Sequence, residues 1–163
     1  SVTNQEAMVA NSVRRALKNK EKEAVPRISD LNALIAATAG KVEIESLDED
    51  RDSEIVNQLL NEAVLNVFRD LVPTELHQPI VEAFDNLEGI STGEDVISDD
   101  YESVVNSDLP ALKPAVQAVL EGSNSNGSAM TASAVELILE GLHLSKRLNK
   151  YSSGARASYA ARK

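Results

Sequence analysis

The residues with the most promise for binding chemistry are Arg14, Arg15 and Arg27, which lie near the start of the chain. Three guanidinium groups in one region could contact a neighbouring subunit or a client protein. The competing interpretation is structural. Arg14 and Arg15 fall near the end of a predicted helix, where its dipole favours cations, and a local ion pair would account for the rest. The sequence leaves both interpretations open.

The acidic run from Asp48 to Glu54 has the carboxylates of a calcium loop. It lacks the Gly that the sharp turn of an EF-hand needs and the bidentate Glu at the end of that loop. We therefore interpret it as the solvated start of a helix. His77 and His143 have no second His or Cys at ligand spacing, and the chain has no Cys. We predict no metal site.

The glycine and serine patterns give no sign of a catalytic motif. The seven glycines never form the Gly-x4-Gly-Lys-Ser/Thr phosphate-binding loop, and no Gly-x-Ser-x-Gly nucleophile elbow is present. We predict that the chain alone is not an enzyme. We assign it no catalytic residue and no cofactor-binding residue, and we expect no nucleotide binding through a phosphate loop.

The core is expected to be aliphatic, because 42% of the 163 residues are hydrophobic but only 3% are aromatic and none is Trp. Such side chains suit helix packing. No apolar run reaches the ~20 residues of a membrane span, and no secretory signal is visible. We therefore expect a cytoplasmic protein that does not associate with membranes.

The net charge of -10 conceals a strong segregation of charge along the chain. Residues 1–42 carry seven basic and four acidic groups, whereas residues 43–108 carry two basic and nineteen acidic groups. The last eighteen residues carry six basic groups and no acidic group. The acidic middle repels nucleic acid and anionic membrane. It is either a solvated surface or a docking face for a basic partner or for the chain's own basic ends.

The first fifty residues predict two helices and a strand. A capping box of Thr3 and Glu6 opens a helix that runs to Leu17, with the apolar stripe Val9, Val13, Ala16 and Leu17. A second helix closes at Gly40, and the alternation from Lys41 to Ser46 predicts a short strand.

The remainder of the chain predicts further helices. The longest begins in the acidic run 48–54 and ends at Pro73, and shorter helices follow Pro79, Asp99 and Pro110. Residues 87–93 are a possible second strand beside residues 42–44. The last helix is predicted to open at a capping box of Ser133 and Glu136. It is apolar nearly all round, so we place it at the centre of the bundle, although its second stripe could instead face another subunit.

Two stretches carry a family resemblance. Residues 4–45 contain Val-Ala-Asn-Ser-Val-Arg-Arg-Ala-Leu (9–17), Ala-Val-Pro-Arg-Ile-Ser-Asp-Leu (24–31) and Gly-Lys-Val-Glu-Ile-Glu (40–45). Residues 140–150 are Glu-Gly-Leu-His-Leu-Ser-Lys-Arg-Leu-Asn-Lys. The first stretch resembles the region after the ATPase core in bacterial magnesium-chelatase I-subunit-like AAA+ proteins, and the second resembles the C-terminal end of the same proteins. Together they cover about a third of the chain, and no catalytic residue is among them.

The resemblance implies the helical lid and C-terminal extension of an AAA+ ATPase. The phosphate loop, the acidic magnesium-binding segment and the sensor arginine of such proteins would lie before Ser1. Because no initiator Met precedes Ser1, we expect an excised piece or a processed product. ATP and magnesium are then cofactors of the parent protein and not of this chain. The implied partners are the AAA+ core of the same polypeptide, further copies in a ring, and a metal-binding adhesion-type subunit.

The sequence as a whole predicts a mainly α fold, a helical bundle with at most a small two-stranded β element. We divide it into lid-like helices and a short strand (1–46), an acidic helical extension (47–122), a linker and central C-terminal helix (123–150), and a basic disordered tail (151–163). The expected function is non-catalytic subunit packing that couples ATP hydrolysis to metal insertion or client remodelling. The alternative is a free-standing acidic helical module for protein–protein interaction.

Overall fold

A computed structural model describes residues 2–32, 35 and 49–163, with side-chain environments for residues 5–32, 35 and 54–163. The fold is mainly helical with one small antiparallel sheet, which confirms the predicted fold class. The predicted strand at 41–46, the helix stop at Gly40 and the cap of Thr3 lie outside the described residues or side chains.

Six α-helices are described, and their ends follow the proline positions closely. They are α1 (Val2–Lys18), α2 (Glu49–Leu71), α3 (His77–Ala83), α4 (Ser98–Ser103), α5 (Lys113–Val119) and α6 (Ser128–Leu144). Residues 28–32 are also helical. The helix α2 ends two residues before Pro73, because a proline disfavours helical backbone at the residue before it. Pro79 and Pro114 lie in the first turns of α3 and α5, where no backbone N–H is missed.

The sheet has three strands rather than the predicted two: β1 (Ile90–Gly93), β2 (Leu148–Ser153) and β3 (Arg156–Ala161). Their order is β1-β3-β2, and both pairings are antiparallel. Ile90 lies opposite Tyr159, and Leu148 lies opposite Ala161. The predicted strand within residues 87–93 is thus confirmed, and β3 is its partner among the described strands.

The prediction of a disordered tail from Tyr151 onward is wrong, because β3 and half of β2 lie there. A two-residue loop joins them, with Gly154 at a φ of +60°, a conformation that glycine adopts without steric cost. Ala157, Tyr159 and Ala161 alternate toward the core, and Tyr159 is buried. This period-two pattern was hidden among small and basic residues, and burial of Tyr159 orders the segment.

The helix α6 is the centre of the core, as predicted from its nearly continuous apolar surface. It contacts α2, α4, α5 and β2, and Val135, Ile138, Leu139 and Leu142 are fully buried. The predicted capping box at its start is wrong. The helix begins at Ser128, directly after the Ser/Asn/Gly-rich loop, so Ser133 and Glu136 lie inside it. Both side chains instead bond to the N-terminal part of the chain.

The packing of α6 against α2 depends on Gly141. A Cβ atom at this position would overlap the ring of Phe68, which is fully buried. Glycine in a helix interior costs about 1 kcal/mol relative to alanine, so its presence here reflects the close approach of the ring.

We predict that Gly141→Ala lowers the free energy of unfolding by about 1–3 kcal/mol through overpacking, in spite of its better helix propensity. In a Phe68→Ala background the same change should be neutral or stabilising, because the ring is gone. Urea unfolding of the four proteins of this cycle measures both effects. Equal effects of Gly141→Ala in the two backgrounds would show that Phe68 is not the cause.

Candidate functional site

The structure separates the three candidate arginines. The side chain of Arg14 is 71% exposed, and it bonds to the neighbouring Asn11 and approaches Glu94 at 3.6 Å. The side chains of Arg15 and Arg27 are buried and form ion pairs within the chain. Arg14 is therefore the one of the three whose guanidinium group is open to a partner in this structure.

Arg15 lies on the inner side of α1 and bonds to both oxygens of Asp30, at 3.0 and 3.1 Å. Its other contacts are Glu21 at 3.1 Å and the carbonyl oxygen of Val25 at 2.8 Å. The chain turns back on itself directly after α1, where Lys20 has a φ of +56°. This turn brings Glu21, which is six positions further along the chain, alongside Arg15.

Arg27 shares the carboxylate of Glu21 with Arg15, at a distance of 3.0 Å. It also donates to Ser98 Oγ at 2.8 Å and to the carbonyl oxygen of Val96 at 2.7 Å, both near the start of α4. Its guanidinium carbon lies 4.9 Å from the centre of the Tyr101 ring, within the range of a cation–π interaction. Arg27 thus joins the N-terminal segment to the body of the fold.

These four charged residues, Arg15, Glu21, Arg27 and Asp30, form what we call the arginine cluster. Burial disfavours the charged form of Arg15 and acts to lower its pKa, but the hydrogen bond and charge of Asp30, with the charge of Glu21, outweigh burial and raise the pKa. Two cations and two carboxylates compensate one another, so the cluster has no spare charge for an external ligand. Its geometry favours fixing α1 and the short helical segment of residues 28–32, which we call the 28–32 turn, in place.

We predict that Arg15→Ala lowers the free energy of unfolding by about 3–5 kcal/mol, because it leaves buried carboxylates without a compensating charge. The neighbouring Arg14→Ala is the matched control and should change it by no more than about 0.5 kcal/mol, since that side chain is exposed. Urea unfolding of both variants checks this pair. Similar losses in the two variants would contradict the assigned role of the cluster.

A second polar centre forms around Glu136, a carboxylate buried in the middle of α6. It accepts hydrogen bonds from the backbone N–H of Ser29 at 2.7 Å, from Ser29 Oγ at 3.0 Å and from the Tyr101 hydroxyl at 2.5 Å. Burial raises the pKa of Glu136, and the hydrogen bonds from Tyr101 and Ser29 oppose that rise. Burial and the charge of Glu136 likewise raise the pKa of Tyr101. Glu136 thereby connects three elements: the 28–32 turn, α4 and α6.

The raised pKa of Glu136 predicts a pH dependence of stability. The folded state binds this proton more tightly than the unfolded chain, so Glu136 stabilises the fold below its ordinary pKa of 4.5, and this contribution is lost as pH rises through the raised value. The unfolding free energy of the natural protein minus that of Glu136→Gln should therefore fall from acidic to neutral pH. Denaturant unfolding of both proteins at a series of pH values measures this difference. Glu121→Gln at an exposed position is the control, and a difference that rises with pH would be contrary to expectation.

One helical turn further along α6, Glu140 forms a third buried polar group. It accepts a hydrogen bond from the Tyr159 hydroxyl and forms an ion pair with Lys150 at 2.8 Å. Burial and the charge of Glu140 raise the pKa of Tyr159. Sequence reasoning missed this trio, although two carboxylates four residues apart on an otherwise apolar buried helix were a usable signal.

A cavity of about 460 Å³ lies between the 28–32 turn and the sheet, and Glu94, Glu136, Lys150 and Arg156 are among its lining residues. Each of these charged groups already has a partner within the chain: Asn11, Tyr101, Glu140 and Asp95, respectively. The lining therefore offers no uncommitted charge among the described residues. Among all the residues that the structure describes, no group of three His, Asp or Glu side chains is arranged to hold a metal ion.

The histidines have structural partners. His77 lies 3.3 Å from the carbonyl oxygen of Val72 and stacks on Phe68, and burial lowers its pKa. His143 lies 3.2 Å from the carbonyl oxygen of Leu148, at the connection from α6 to β2. Neither arrangement resembles a nucleophile–base pair.

Three of the four residues of the apolar stripe predicted on α1 face outward. Val9, Val13 and Leu17 are 53%, 42% and 73% exposed, and we call them the α1 outer face. Ala16, the fourth residue of the predicted stripe, is buried together with Ser12 and Arg15. The stripe is outside because the polar side of α1 is the side that the arginine cluster holds.

The long helix α2 repeats this arrangement. Only Phe68 is buried along its described side chains, whereas Val56, Leu59, Val67 and Leu71 are 40–61% exposed. We call these four residues the α2 outer face. Spacings of three, four and eight residues place them on one side of the helix. Scattered exposed aliphatic residues are ordinary, but two continuous stripes on two helices are typical of interaction surfaces.

Comparison with protein-family models, with curated proteins and with solved structures finds no match to this chain. The resemblance to magnesium-chelatase-like proteins therefore stays a prediction. Among the described residues, no helix is long and apolar enough to cross a membrane.

Proposed function

We propose that this chain is a non-catalytic helical interaction module, namely the lid and C-terminal extension of a magnesium-chelatase-like AAA+ ATPase. In that role it packs on the ATPase core of the same polypeptide and on neighbouring subunits. It thereby couples ATP hydrolysis to metal insertion or to remodelling of a client protein. The family assignment rests on the sequence resemblance, and the structure contributes the surfaces through which such a module can act.

The observation that carries the proposal is the outward orientation of α1. Leu17 is 73% exposed at the end of a stripe that includes Val9 and Val13, while polar contacts hold the other side of the helix. Exposed aliphatic stripes gain free energy when another surface covers them, at roughly 25 cal/mol per Å² of apolar area. A rigid helix that presents such a stripe is suited to binding another protein surface.

The arginine cluster supports the same role. Arg15 and Arg27 connect α1 to the start of α4 through Glu21 and Ser98, so α1 is not a loosely attached segment. Glu136 adds a connection from Ser29 to the central helix. A force or displacement applied at the α1 outer face would therefore reach the core of the fold, as a coupling element requires.

The first test is the reading frame that encodes this chain. We expect a Gly-x4-Gly-Lys-Ser/Thr phosphate loop before the codon for Ser1. In the encoded protein, Leu17→Glu should lower ATP turnover about tenfold, equivalent to ~1.4 kcal/mol, because it places a charge in an apolar contact. Gln117→Glu adds the same charge at an exposed position of α5 and serves as the control.

The two measurements separate the candidate functions. A reading frame without a phosphate loop would reject the ATPase relationship and leave the free-standing acidic interaction module as the function. A phosphate loop together with full turnover in Leu17→Glu would keep the relationship but reject coupling through α1. In both cases circular dichroism should show that Leu17→Glu folds, because the side chain is exposed.

A further inference from the structure

The α1 and α2 outer faces belong to one chain but do not cover each other. Leu17 on α1 and Leu59 on α2 are 73% and 61% exposed with both helices present in the same molecule. The α1 outer face extends over about 12 Å and the α2 outer face over about 22 Å at 1.5 Å per residue. Two apolar stripes of unequal length are therefore left uncovered by the described part of the chain.

The charges around the two faces are of opposite sign. The helix α1 carries three basic residues and one acidic residue, and exposed Arg14 and Lys18 lie along one edge of its outer face. The helix α2 carries six acidic and two basic residues; exposed Glu62 lies beside its outer face, and exposed Asp70 lies on that face near its C-terminal end. Opposite potentials on two surfaces favour their encounter and fix their relative orientation.

We propose that the α1 outer face of one copy of this chain packs against the α2 outer face of a second copy. The apolar stripes form the centre of the contact, and Arg14 and Lys18 of one copy lie near Glu62 and Asp70 of the other. The proposal deepens the proposed function and rests on it, since it names a second copy as the occupant of the exposed faces.

The contact is heterologous, because each copy contributes a different surface to it. One copy therefore keeps a free α2 outer face after its α1 outer face is covered, and the contact can repeat from copy to copy. The complementarity of both charge and apolarity within one sequence favours a second copy over an unrelated protein as the occupant.

Two blocked variants test the contact. Val13→Gln with Leu17→Gln replaces two of the three apolar residues of the α1 outer face, and Leu59→Gln with Val67→Gln replaces the two most exposed of the four residues of the α2 outer face, without any change of charge. All four positions are exposed and glutamine is a good helix former, so both variants should fold. In sedimentation experiments the natural chain should show mass that rises with concentration, and each blocked variant alone should remain a monomer.

An equimolar mixture of the two blocked variants should form a dimer that stops growing, because it contains one intact α1 outer face and one intact α2 outer face. Reversal of the charges around the two faces is a second test of the contact. Arg14→Glu with Lys18→Glu should abolish the association of the natural chain, and the further changes Glu62→Lys with Asp70→Lys should restore it.

The proposal would be overturned if the natural chain or the mixture of blocked variants is monomeric, or if a blocked variant still assembles alone. It would also be overturned if the second charge change fails to restore association. None of these results would affect the reading-frame test. The failure of this inference and the failure of the proposed function are therefore distinguishable.

Discussion

The neutralisation of two buried guanidinium groups is the constraint that holds α1 and the segment after it against the rest of this structure. A buried cation is tolerated only when it is paired and hydrogen-bonded, and Arg15 and Arg27 meet this condition by sharing Glu21. Asp30 completes the set on the Arg15 side, and Ser98 completes it on the Arg27 side. Because each arginine depends on the same carboxylate, the end of α1, the following turn and the start of α4 hold one another in position.

This arrangement inverts the usual relation between an amphipathic helix and its core. A surface helix normally buries its apolar stripe and solvates its polar side, but α1 buries Ser12 and Arg15 and exposes Val13 and Leu17. The polar side is favoured inside because Asp30 and Glu21 already lie there. The apolar side is consequently left for a contact with another surface. Burial of the arginine cluster and exposure of the apolar stripe therefore both follow from the orientation of α1.

The sequence predicted the helix α2 from its apolar period and the central helix α6 from its nearly continuous apolar surface, although it placed the start of α6 too late. It could not predict which side of α1 is buried. The hydrophobic period shows that a helix has an apolar face, but it does not show whether that face contacts the core or another surface. The local partners of Arg15 and Arg27 were within reach, since Glu21 and Asp30 are close in sequence. The contacts of Glu136 with Ser29 and Tyr101 could not be predicted from the sequence, because they join residues 107 and 35 positions apart. The hairpin of β2 and β3 was missed because small and basic residues masked its alternation.

The order of strands in the sheet has a consequence for biosynthesis. The strand β3 follows the other two in the sequence, yet it lies between them and supplies hydrogen bonds to both. During translation β1 and β2 are therefore made before the strand that joins them, and their unpaired edges persist until β3 leaves the ribosome. Tyr159, which covers Glu140 from β3, arrives at the same moment. Glu140 of α6 thus acquires its last partner only after nearly all of this sequence has been synthesised, so vectorial folding from the N-terminus cannot complete the core early.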